Sequence, residues 1–143
     1  MFSKKYLEKN GLTEVQAIQL ELMKRASFNS FDGERVVRDL LNHRDLWKSC
    51  FMTRDIEASI RHHLPPVAVH ESSDLIPLRD IDEGYWNVDT LYVLVNKSKE
   101  KDMKILALEA WQADDVGVLN KEDASRRLGR YPASGRVICV WWD

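Results

Sequence analysis

Apolar positions recur along the chain with two different periods. Val15, Ile18, Leu22 and Met23 follow one another in three- and four-residue steps, the spacing of one helix face. Thr13-Glu14-Val15-Gln16 precedes them with capping-box spacing, in which Thr and Gln each accept a bond from the other's backbone N–H. The pattern predicts a helix over 14–26, ended by the turn formers between Ser27 and Gly33. A second helix is expected from about Asp32, with Val36, Val37, Leu40 and Leu41 on one face. Leu46, Trp47, Cys50 and Phe51 extend its apolar content past a break at Asn42-His43. A third is expected from Thr53, striped by Ile56, Ile60 and Leu64 and stopped by Pro65-Pro66.

After that the period shortens. Val67-Ala68-Val69-His70 suggests a short strand in an otherwise irregular stretch over 67–87. Asp89 to Val95 is β-branched and aromatic enough for a strand. Asn96 to Asp102 then forms a charged turn, and Lys104 to Trp111 is expected as the second strand of a hairpin. Ala107 to Ala110 are equally good helix formers, and short apolar runs do not separate the two states. Asn120 caps a short helix with Glu122 and Asp123 in its first turn, Arg126 and Arg127 in its last, and Gly129 ending it. Arg136 to Trp142 is the closing strand. The expected fold is therefore α+β. A helical N-terminal half (about 1–64) packs on a small, mainly antiparallel sheet of three to four strands (about 67–143) with one crossover helix. No repeat or linker divides it, so 1–143 is expected to be a single domain.

Composition narrows the class. At 143 residues with 44% hydrophobic content, the chain can bury a core without disulfides or metals and is too apolar to be disordered. Cys50 and Cys139 share no CxxC spacing and are expected as buried free thiols. The N-terminus is charged from Lys4 onward, with no secretory apolar region and no membrane-length apolar run. A cytoplasmic location is the expectation. A net charge of −2 argues against a nucleic-acid partner. Arg35, Arg38 and Arg44 would be the phosphate contacts of a helix-turn-helix over 14–42, but Glu34, Asp39 and Asp45 interleave with them.

The charge is unevenly spread. Residues 1–71 hold 11 basic and 10 acidic side chains, whereas residues 72–143 hold 10 and 13. The excess concentrates in Asp74, Asp80, Asp82, Glu83 and Asp89, opposed only by Arg79. Converging carboxylates bind hard cations or act as acid and base. Asp82, Glu83 and Asp89, with Asp114 and Asp115 after the next strand, are the group that could meet at one end of the sheet. Solvated loop charges and turn caps are the plainer account. A metal-dependent nuclease hairpin would place a Lys two residues after its Glu, but the chain has Glu109-Ala110-Trp111. His43, His62, His63 and His70 suit capping or surface roles better than zinc. No Gly-x-Ser-x-Gly or phosphate loop is present, because the six glycines are isolated.

Five tryptophans change the picture most, because four follow residue 85 and lie at or near predicted strand ends. Trp141 and Trp142 are consecutive, so a persisting strand points them to opposite faces, one into the core and one outward. Trp offers a large rigid surface with one donor, which suits binding hot spots as well as cores. The expectation is an interaction or regulatory module without a cofactor. A protein partner, basic in character, would meet an acidic and aromatic surface of Asp80, Asp82, Glu83, Tyr85, Trp86, Trp141 and Trp142. The alternative is a metal-dependent hydrolase of phosphodiesters using Asp89, Glu109, Asp114 and Asp115.

Overall fold

A computed structural model describes residues 1–28, 30–53, 90–128 and 134–143. The first two helices are α1 (Lys4–Asn10) and α2 (Glu14–Lys24). A two-residue hairpin, β1 (Ser27–Phe28) with β2 (Phe31–Asp32), leads into α3 (Gly33–Asn42). The sheet strands are β3 (Trp47–Thr53), β4 (Thr90–Val95), β5 (Asp115–Val118) and β6 (Arg136–Trp141). Between β4 and β5 run a 3₁₀ turn (Lys97–Lys99), α4 (Glu100–Ile105) and a π-helical turn (Leu106–Ala110). Helix α5 (Lys121–Leu128) connects β5 to β6. The sheet has the order β3-β4-β6-β5 with every neighbouring pair antiparallel, so the fold is α+β. β4 and β5 are thus parallel across an inserted β6, a crossover carried by α4.

Local signals placed the best-predicted elements. The α2 capping box forms in full, with Gln16 N–H donating to Thr13 Oγ1 (3.2 Å) and Thr13 N–H to Gln16 Oε1 (2.8 Å). Asp32 caps α3 by accepting from Arg35 N–H at 3.1 Å, and Asn120 caps α5 by accepting from Asp123 N–H at 2.9 Å. Helix α1, which periodicity does not reveal, lies between an N-cap at Ser3 and Gly11, whose φ of 59° suits the C-terminal position.

Three expectations are corrected. Residues 47–53 continue no helix; they form the edge strand β3, in which a bulge between Trp47 and Ser49 turns both Trp47 and Cys50 toward the helices. Residues 104–111 are helical, not the second strand of a hairpin, so their Ala and Leu helix formers prevail. The expected charged turn over 96–102 holds the 3₁₀ turn and the start of α4. The one crossover is carried by α4, whereas α5 joins the adjacent antiparallel pair β5 and β6. The expected third helix, the strand at 67–70 and Gly129 lie outside the described residues.

The two sheet faces are unequal. One meets α2, α3 and α4 in the main core, where Leu91, Val93, Val95, Ile138, Val140 and Trp142 pack with Leu20, Met23, Val36, Leu40, Met103 and Trp111. The other carries a small cluster of Tyr92, Val137 and Ala124, the last from α5. Cover on both sides explains why β4 is apolar without alternation. In α2 the core takes Ala17, Leu20 and Met23, while Val15 and Ile18 of the predicted stripe stay exposed. Among the described residues no helix is long and apolar enough to cross a membrane.

Candidate interaction surface

Strand alternation sorts the tryptophans. Ile138, Val140 and Trp142 point into the main core, so Val137, Cys139 and Trp141 point to the opposite face. Trp142 is fully buried; its indole N–H donates to the Trp111 carbonyl at 3.0 Å, and its ring meets Phe31 edge-on at 4.8 Å. Trp142 is therefore core and presents no ring to a partner. Trp111 is likewise buried and donates to Asp39 Oδ2 at 3.2 Å. Trp47 donates to the Leu40 carbonyl at 2.7 Å beneath the Arg44 guanidinium, which lies 3.9 Å from its ring centre. Trp141 alone among the described tryptophans keeps substantial exposure, at an intermediate level.

Register places acid beside it. Asp115 of β5 and Thr90 of β4 stand directly opposite Trp141 on either side, and facing residues in an antiparallel pair share a face. Asp114 accepts a bond from Asp143 N–H at 3.0 Å, so a third carboxylate, that of Asp143, is tied to the same end of the sheet. Among the described residues no ion pair engages Asp114, Asp115 or Asp143. Next along β5 on that face comes Gly117, opposite Cys139, and a Cβ placed there would meet nothing within 4 Å. The result is an open step beside a partly exposed indole, bordered by acid.

The other predicted site residues fall differently. Asp80, Asp82, Glu83, Tyr85, Trp86 and Asp89 lie outside the described residues, as do His62, His63 and His70. Glu109 is exposed on the π-helical turn. Among the described residues no three His, Cys, Asp or Glu side chains gather closely enough to hold a metal ion. The arginines weighed as phosphate contacts are engaged within the chain. Arg35 donates to the Ala110 carbonyl and pairs with Asp32, Arg38 pairs with Asp39, and Arg44 reaches the carbonyls of Asn10, Gly11 and Trp47. Cys50 borders a cavity of about 20 Å³ with Gln16, Leu20, Met23 and Trp47, room for roughly one water. Burial pushes its thiol up to about 12, against thiolate chemistry. Asp143, Gly117 and the existence of β5 escaped the sequence reading, since four residues interrupted by a glycine give too little alternation to register.

No family model matches this chain, and comparison with curated proteins and with solved structures returned no match.

Proposed function

We propose that this protein is a small interaction module that engages a basic protein partner at the acidic, aromatic end of its sheet. The observation that carries the reading is Trp141, partly exposed and directly across the ladder from Asp115, with Asp114 and Asp143 beside them. An indole face attracts ammonium and guanidinium groups, and carboxylates at its edge add orientation and faster encounter. Three of the other tryptophans already spend their indole N–H groups inside the fold, which leaves Trp141 as the described ring available to a partner. Asp80, Asp82, Glu83, Tyr85 and Trp86 enter the proposal only as the acidic, aromatic stretch that precedes β4 in the sequence.

The test is a titration with octa-arginine followed by the indole N–H resonances, with that of Trp141 assigned by its loss in Trp141→Phe. The Trp141 signal should move, those of Trp47, Trp111 and Trp142 should not, and the shift should shrink as salt is raised. A stationary Trp141 signal at low salt would rule out this surface.

A further inference from the structure

The free edge of β5 says what form such a partner takes. Leu119 N–H donates to the Val137 carbonyl at 2.9 Å, which makes 119 and 137 a hydrogen-bonded pair. Alternation then turns the backbone groups of Gly117 toward β6, and those of Val116 and Val118 away from it; at the start of the strand Asp114 N–H bonds the Trp141 carbonyl at 3.0 Å. Among the described residues β5 is the last strand of the sheet, and no backbone bond reaches Val116 or Val118 from another element. Among the described residues the outward N–H and C=O groups of these two form an unpaired edge, which Asp115, Gly117 and two valines leave short but without a lysine or proline to block it.

Resting on the proposed interaction role, we infer that β5 accepts an extended segment of the partner as a fifth strand, and that this segment alternates basic and apolar residues. Strand geometry dictates the alternation. Partner residues beside Asp115 and Gly117 project onto the Trp141 face, where Asp115 has no ion partner among the described residues and the step above Gly117 leaves space. Those beside Val116 and Val118 project onto the opposite face, where Val116 and Ala113 pack against the rim of the main core. A basic side chain therefore meets acid and indole on one side, and an apolar one extends the core on the other. Main-chain bonds supply affinity and the two faces supply selectivity.

The probe is a capped hexapeptide of alternating Arg and Val, compared with alternating Glu and Val and with octa-arginine. Added to the full chain, the Arg–Val peptide should slow amide exchange at Val116 and Val118 and move the Trp141 indole; the Glu–Val peptide should do neither. Val118→Pro deletes an N–H that the sheet does not use, so the protected amides of Val93 and Ile138 should persist while peptide binding weakens about fivefold or more. Asp115→Asn should weaken binding less and flatten its salt dependence. If octa-arginine moves Trp141 yet the Arg–Val peptide leaves the Val116 and Val118 amides unprotected, strand addition is wrong and the surface reading survives. If those amides gain protection while no peptide moves Trp141, the reverse holds. Undiminished binding by a folded Val118→Pro variant also overturns the strand, and if that variant unfolds, the exchange rates of the unmodified chain still decide.

Discussion

Trp141 and Trp142 are adjacent, chemically identical side chains that one strand sends to opposite faces of the sheet. Trp142 enters a face closed by three helices, where its indole nitrogen, ring edge and flanks all find partners. Trp141 enters a face on which α5 covers one end and Gly117 leaves the other open. Composition therefore says little about a tryptophan's role; which side of the pleat it occupies says nearly everything. The same division runs through the charges, because the arginines near the core face bond to backbone carbonyls and acids of the chain, whereas the acids beside Trp141 have no ion partner among the described residues.

The largest difference between the faces should appear on truncating the two rings. Trp142→Ala removes a fully buried indole and strands the Trp111 carbonyl, a loss of about 3–5 kcal/mol on the scale of large-to-small core changes. Trp141→Ala should cost under about 1.5 kcal/mol, because part of its surface stays in water. Urea unfolding of both variants checks this, and equal losses would abolish the distinction between the faces.

Gly33 gives the next largest effect on the core side. It opens α3 against the end of α2, where a Cβ would run into the Met23 carbonyl oxygen and stand 2.6 Å from that of Ala26. Both obstacles are backbone and cannot swing away. Gly33→Ala should destabilise by about 2–3 kcal/mol despite alanine's better helix propensity. A neutral result would mean that α2 and α3 yield readily, and the core cover would then be looser than its burial implies.

Elements announced by local chemistry were legible in the sequence: α2 by Thr13 and Gln16, α3 by Asp32, α5 by Asn120, and β4 and β6 by β-branched runs. Elements decided by tertiary context were not. The run from Leu46 to Phe51 suits either state, and it is a strand because β4 offers an edge to pair with. Residues 104–111 look like a strand partner for β4, yet β6, far along the chain, takes that place and leaves the segment to its helix propensity. Helix α2 carries apolar residues on two sides, and its sequence does not say that Ala17, rather than Ile18, turns inward. The site shows the same split. The opposition of Trp141 and Trp142 follows from strand period, but Asp115 meets Trp141 only through a register that no local pattern encodes.

The helical cover of the core face also depends on its caps. Asp32 accepts from Arg35 N–H, and that bond, then the Arg35 guanidinium, holds the Asp32 carboxyl below its ordinary 3.8. A carboxyl lowered on folding adds stability above its unfolded value and loses it as pH falls through the folded one. Asp32→Ala should therefore cost about 1 kcal/mol at neutral pH. The gap between variant and parent should close below about pH 3.8. Unfolding series at pH 7 and at strongly acidic pH measure it, and a gap that stays constant with pH would remove the cap as its cause.

The smallest effect is the most informative about the open face. Gly117 does not adopt the left-handed backbone, and a Cβ there meets nothing within 4 Å. A glycine inside a strand forfeits backbone entropy that alanine would not, so Gly117→Ala should be neutral or stabilise by up to about 0.5 kcal/mol. The contrast with Gly33→Ala then isolates surroundings from residue type, since the same methyl is added to the same parent residue in both. The added methyl would stand on the Trp141 face, across from Cys139 and next along the strand from Asp115. It should reduce binding of the Arg–Val peptide about twofold by narrowing the step while leaving the sheet intact. A cost above about 1 kcal/mol in the free protein would show that something already covers this part of the sheet, and an edge covered there could not receive a partner's strand.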